Sequence, residues 1–243
     1  MDLKNYAIIL AGGNGSRLGS DTPKQYLHVG GKMIIEYCLE TIAAHHMITG
    51  IQIVAADEWQ YDISGFIESE GEKLQTKYMG FSKPGRNRQE SILHALLDIG
   101  KIAKTQDCVM IHDAARPLLK PELISTCLEH LNKPDAAYDG VMPVLPMKDT
   151  VYMSKDGKAV SMLLDREQIF AGQAPEFFRY GRYLKANQIL WPDEILSING
   201  STEPAIMAGM NIAMVLGDED NFKITTMTDL ERFWEIIKTN EQQ

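Results

Sequence analysis

The chain has little cysteine. Cys38, Cys108 and Cys127 are all it contains, widely spaced and set among apolar residues. An odd, scattered set excludes a disulfide framework and lacks the paired spacing of a zinc site, so buried reduced thiols are expected. Long apolar runs are missing too. No stretch reaches the ~18 residues of a membrane span, and no basic segment leads into an apolar run near the N-terminus, so a cytoplasmic protein is expected. Positive charge is in deficit, with 24 Lys and Arg against 33 Asp and Glu for a net −9. That balance argues against a nucleic-acid binder or a membrane-surface protein, which normally carry a basic footprint. Repeats and low-complexity linkers are absent. What remains is an ordinary globular composition, 44% hydrophobic and 23% charged over 243 residues, enough for one large domain with a full core.

Periodicity supplies the fold class. Tyr6 to Leu10, Gly50 to Ala56 and Cys108 to Ile111 are apolar runs of strand length, while 32–44, 90–99 and 121–131 carry helical stripes such as Ile34, Ile35, Cys38, Leu39 and Ile42. Strands alternating with helices indicate βαβ units, hence an α/β, doubly wound, mainly parallel sheet. After Val141 the pattern changes. Two short runs flank Asp156-Gly157, a dipeptide favoured in two-residue hairpin turns, so residues 146–170 are expected to form a β-hairpin arm projecting from a single domain spanning 1–243. An isolated hairpin is marginal in water, which makes a second copy of the chain the natural partner. Glu176 to Leu190 reads as a helix, "MNIAMVLGDEDNFKIT" as a return to the sheet, and 229–238 as a closing helix.

The first run ends in "LAGGNGSRLGSDTPKQYL". Counting G-x-G-x-x-G from Gly13 and Gly15 places the third position on Leu18, so the dinucleotide fingerprint fails. No Gly-Lys-Ser/Thr follows, so the P-loop fails as well. A loop with closely approaching backbone N–H groups remains, with Arg17 and Lys24 as cations, and it suits a triphosphate. "IHDAARP" puts Asp113 directly after a strand at the same sheet edge, where one carboxylate suits Mg²⁺. "GRNRQESIL" places Gly85 in a loop and Ser91 near a helix start, and "NFKITT" sets Lys223 in a β-branched run read as a strand. His112 has no second ligand at metal spacing and is left out of the site.

These stretches, with "PMKDTV" and "LDR", occur in an order that resembles the 2-C-methyl-D-erythritol 4-phosphate cytidylyltransferases and their ribitol 5-phosphate relatives over nearly the whole chain. The resemblance implies a nucleotidyltransferase fold binding CTP and Mg²⁺, with a hairpin arm exchanged in a homodimer. Ala11, Gly12 and Gly13 would line the nucleotide, with Gly85 and Ser91 on its cytosine and ribose side and Arg116 beside it. Arg17, Lys24 and Lys223 would act on the phosphates, Asp113 would hold Mg²⁺ near the acceptor, and Thr150, Arg166, Thr202 and Lys223 would bind the acceptor. Two stretches depart from the family: "STEPAIMAG" lacks the aspartate that commonly follows the threonine, and "GQAPEFF" stands where many members have Thr-Pro-Gln. Methylerythritol 4-phosphate is the expected acceptor and ribitol 5-phosphate the alternative. A UTP- or dTTP-dependent sugar-1-phosphate enzyme and a non-catalytic nucleotide-binding protein are the remaining readings.

Overall fold

The structure is a computed structural model that describes residues 3–13, 22–133 and 137–240. Along the chain come β1 (Asn5–Leu10), a ribbon of β2 (His28–Val29) and β3 (Lys32–Met33), α1 (Ile34–Ala44), β4 (Gly50–Val54), α2 (Asp57–Ser69), α3 (Glu72–Lys77), β5 (Tyr78–Ser82), α4 (Arg88–Ile99), β6 (Cys108–Asp113) and α5 (Pro121–Leu131). The second half contains β7 (Gly140–Pro146), β8 (Tyr152–Met153), β9 (Met162–Leu163), β10 (Phe170–Gly172), β11 (Glu176–Arg179), α6 (Tyr180–Ile189), α7 (Glu203–Met207), β12 (Ile212–Leu216) and α8 (Met227–Asn240).

The main sheet runs β10-β7-β11-β6-β1-β4-β5, with β12 on the other edge of β7. It is mostly parallel: β1 pairs in parallel with β4 and β6, β4 with β5, and β12 with β7, whereas β10 and β11 run antiparallel to their neighbours. Because β1 is buried on both faces it needs no polar side, which is why its sequence reads as a continuous apolar run. Ala7 and Ile9 face Ile35, Leu39 and Ile42 of α1 and Ile124 and Leu128 of α5, while Tyr6 and Ile8 face Ile92, Leu96 and Ile99 of α4 and Tyr183 of α6. Helices on both faces make the sheet doubly wound, and each fully buried Ile contributes roughly 1.5–3 kcal/mol. The three cysteines are buried and unpaired. No helix among the described residues is long and apolar enough to cross a membrane.

Three local expectations are corrected. Residues Glu176–Arg179 form a strand, and the helix begins only at Tyr180. Phe177 packs into the core on one face and Phe178 into the core on the other, so adjacent aromatics that look like part of a helical stripe are the two sides of a doubly buried strand. The hairpin turn is longer than two residues. The pair Met153↔Met162 closes the ladder, and between them Ser154 and Asp156 organise the loop by accepting from the backbone N–H groups of Gly157 and Lys158. Lys223 lies in an extended connection between β12 and α8 rather than in a strand.

Candidate active site

Parallel pairing sets the site. Leu10, the last residue of β1, stands opposite Val54 of β4 on one side and Asp113 of β6 on the other, so the glycine turn and the carboxylate emerge at one sheet edge. A cleft of about 480 Å³ opens there, lined by Gly12, Gly13, Lys24, Gln25, the 84–88 loop, Ser91, Asp113 and Lys223. That volume is in the range of small-molecule sites.

Two sets of contacts shape the cleft walls. Gln25 Nε2 donates to the carbonyls of Ala11 and Gly13, and the Tyr26 hydroxyl donates to that of Ala11 at 2.9 Å. A Cβ on Gly12 would come 2.8 Å from Pro84 Cβ, and one on Gly85 would come 2.6 Å from Glu90 Cβ, so both positions demand glycine for close approach. On the opposite wall Asn87 caps α4 by accepting from Glu90 N at 2.8 Å. The Ser91 hydroxyl donates to Asn87 O (2.8 Å) and accepts from Gly85 N (2.9 Å), so Ser91 shapes the loop from within. Arg86 pairs with Glu90 at 2.9 Å and lies over Trp191 at 5.5 Å.

Asp113 is the electrostatic centre. Arg88 Nε donates to Oδ1 at 3.1 Å, Lys223 Nζ lies 3.1 Å from Oδ2, and Arg116 Nε lies 3.6 Å from the same oxygen. Burial alone would push this carboxyl up, but Arg88, Lys223 and Arg116 together override that and hold it well below the usual carboxylate range. Arg88 reaches further, to 3.8 Å from Oε2 of Glu176. Its burial disfavours the charged form, and the two carboxylates more than offset that. A protein of net −9 thus gathers Lys24, Arg86, Arg88 and Lys223 at one cleft, a field suited to a polyphosphate.

His112, beside Asp113, is fully buried and its Nε2–H donates to Arg116 O at 3.1 Å. Burial lowers its pKa to about 4. A folded-state pKa below the unfolded value of roughly 6.5 contributes stability that is present above that value and is lost as pH falls towards the folded one. Denaturant titrations between pH 6.5 and 4 are therefore expected to lose about 3 kcal/mol through this group, and His112→Gln should flatten that part of the curve. An unchanged slope in the variant would place the acid sensitivity elsewhere.

A cation could be held here only in part by the protein. Among the described residues no three His, Cys, Asp or Glu side chains gather around a point, and both Asp113 oxygens already face cations. This donor set fits a Mg²⁺ that takes most of its ligands from phosphate and water, and does not fit one held by protein alone.

A family model for IspD, 2-C-methyl-D-erythritol 4-phosphate cytidylyltransferase, matches residues 6–239. The chain belongs to this family. The Clostridium tetani cytidylyltransferase of that name is 33% identical over 241 residues, covering 97% of this chain and 91% of the relative. The Xylella fastidiosa strain M23 enzyme is 33% identical over 236 residues, covering 96% of each. Among solved structures, the Francisella tularensis 2-C-methyl-D-erythritol 4-phosphate cytidylyltransferase superposes with a TM-score of 0.78 at 25% identity, over 95% of this chain and 98% of that one. A synthase from Anaerococcus prevotii, at 21% identity and a TM-score of 0.80 over 97% and 96%, bears on the fold alone.

Within this cytidylyltransferase, Gly12, Gly13, Lys24, Gly85, Ser91, Asp113 and Lys223 meet at the cleft, and Arg116 stands behind Asp113 with Nη1 donating to Asn221 O at 2.7 Å. Other expected site residues are placed differently. The backbone of Ala11 is already engaged, since its N–H donates to Val54 O at 2.9 Å and its carbonyl accepts from Gln25 and Tyr26. Thr202 is buried and donates to Glu176 Oε1 at 3.1 Å. Thr150 and Arg166 lie exposed on the arm, with Arg166 Nη1 donating to Lys148 O at 3.0 Å, and neither lines the cleft of its own chain. Arg17 lies outside the described residues.

The departures from the family pattern have local partners. Glu203 Oε2 accepts from Asn199 N at 2.8 Å, and the Ala174 carbonyl accepts from Asn221 Nδ2 at 2.7 Å. Arg88, Gln25 and Glu176 escaped sequence reading. The second arginine of "GRNRQES" and the glutamine of "TPKQYL" were visible signals; Glu176 was hidden inside an expected helix.

Proposed function

We propose that this chain transfers the cytidylyl group of CTP to 2-C-methyl-D-erythritol 4-phosphate, releasing pyrophosphate, in the formation of an isoprenoid precursor in the cytoplasm. The observation that carries the reading is Asp113 with Arg88, Arg116 and Lys223 around it, across the cleft from the glycine turn and Lys24. A phosphate monoester oxygen of the acceptor attacks the α-phosphorus of CTP in line; the new P–O bond forms as the bond to the pyrophosphate oxygen breaks. That nucleophile is already anionic near neutral pH, so the chemistry asks little of a general base. It asks for cations that bring two anions together and neutralise the charge that builds up as they meet. Lys24 and Arg17 serve the nucleotide phosphates, Lys223 serves the meeting point, and Asp113 holds Lys223 and the two arginines in place. Mg²⁺, held by phosphate oxygens and water with Asp113 as the one protein carboxylate in reach, would supply further charge neutralisation when bound.

The reading extends to a homodimer. The arm exposes Tyr152, Val160, Met162 and Leu163, an apolar set on a ribbon that buries little within its own chain, and a second copy would cover it. Thr150 and Arg166 would then reach the neighbour's acceptor.

Two measurements test this. Pyrophosphate release from CTP with Mg²⁺ should be at least about a hundredfold faster in kcat/KM with methylerythritol 4-phosphate than with ribitol 5-phosphate, roughly 2.7 kcal/mol of discrimination. A reversed preference would reassign the acceptor, and silence with both in a chain that binds CTP would support a non-catalytic role. If the arm works in trans, mixing inactive Lys24→Ala and Arg166→Ala chains and allowing exchange should restore about a quarter of wild-type activity, because a mixed dimer holds one intact site. No recovery in confirmed mixed dimers would place Arg166 in its own chain's site or outside catalysis.

A further inference from the structure

Glu176 is a charge that the reaction does not call for. It opens β11 opposite Ile111 of β6 and is only 8% exposed. Its Oε1 accepts from the Thr202 hydroxyl at 3.1 Å, and its Oε2 accepts from the Ser201 hydroxyl and faces Arg88 Nη2 at 3.8 Å. Burial pushes its carboxyl pKa up, and Arg88 and the two hydroxyls recover only part of that. An ion kept buried at this cost is expected to act on a neighbour.

That neighbour is Arg88. Its guanidinium is held at both ends, by Asp113 at the cleft and by Glu176 behind it. Asp113 also faces Arg116 and Lys223, so it cannot compensate Arg88 alone. Without Glu176, Arg88 would keep only its share of Asp113 and could turn onto the phosphates of bound CTP. Tighter binding of the ground state raises the barrier from the complex unless the transition state gains equally.

We propose that Glu176 is a positioning residue that keeps Arg88 parked on Asp113 and so withholds this guanidinium from the nucleotide phosphates until the transition state. Thr202 and Ser201 belong to the same device, holding the Glu176 carboxylate from its far side. The inference rests on the cytidylyltransferase reading above.

Glu176→Gln keeps the shape and one acceptor oxygen while removing the charge. It is expected to lower the CTP dissociation constant, measured by calorimetry without acceptor, by about fivefold and to lower kcat by about tenfold. Both effects should vanish in an Arg88→Lys background, as expected of a residue that acts through another. Merely structural damage would instead weaken CTP binding and persist in that background. An unchanged or weaker CTP affinity, or effects of equal size with and without Arg88, overturns the proposal. If Glu176→Gln does not fold, Ser201→Ala decides on the same readings: about twofold tighter CTP binding that disappears with Arg88→Lys supports the proposal, and unchanged binding overturns it. A wild-type chain that binds CTP and releases no pyrophosphate would defeat the cytidylyltransferase reading instead, leaving the calorimetric comparison interpretable.

Discussion

Asp113→Asn is expected to lower kcat/KM by about a thousandfold, roughly 4 kcal/mol of transition-state stabilisation, while the purified protein also loses about 3–5 kcal/mol of stability. The carboxylate is 7% exposed and faces three cations within 3.6 Å. Removing its charge leaves Arg88, Arg116 and Lys223 repelling one another in a poorly hydrated corner, and removing one partner of such a cluster costs more than the cluster contributed. Lys223 would be the first to move, because it is tied to a loop connection while Arg88 is anchored on α4. Denaturant unfolding gives the stability and pyrophosphate release gives the rate. Near-wild-type turnover would remove Asp113 from the centre of the site. The same variant examines the metal: if Asp113 is a Mg²⁺ ligand the Mg²⁺ concentration for half-maximal rate should rise strongly, and if the ion rides on the triphosphate it should stay nearly constant.

Lys24→Ala is expected to lower kcat by about 10²–10³, the scale of losing one preorganised donor at a developing charge, with little change in the KM for CTP. Lys24 begins the short helical turn Lys24–Tyr26, preceded by Pro23 with φ −59°. The next two side chains fasten that turn to the glycine loop, through Gln25 to the Ala11 and Gly13 carbonyls and Tyr26 to that of Ala11. Tyr26 also stacks on Trp59 at 4.3 Å. The mutation therefore removes a cation from a backbone that other residues hold, and Tm should move by no more than a few degrees. A variant with raised KM and intact kcat would show that Lys24 serves binding alone and does not contact the transferring phosphate.

The amino-acid sequence by itself determined the strands that build the site and the edge where it opens. Tyr6 to Leu10 and Cys108 to Ile111 read as buried strands of a parallel sheet, because runs with no polar side cannot face water, they are short, and helical stripes alternate with them. The turn after β1 and Asp113 at the end of β6 then share an edge, since parallel strands end together. Of the residues that such local rules put at this edge, Gly12, Gly13, Lys24, Gly85, Ser91 and Asp113 line one cleft. Tertiary structure alone decided which charges meet. Glu176 faces Arg88 because β11 enters antiparallel between β6 and β7, and the ion pair it makes spans 88 positions of sequence and leaves no local period to read. For the same reason the contact from the Thr202 hydroxyl to Glu176 could not be read, Thr202 being expected at the acceptor from the family resemblance, and Lys223, read from β-branched neighbours as a strand residue, reaches Asp113 from a loop. Side-chain pattern reports how much of each residue must be hidden from water; where a buried charge finds its partner depends on strand order, which only the folded chain provides.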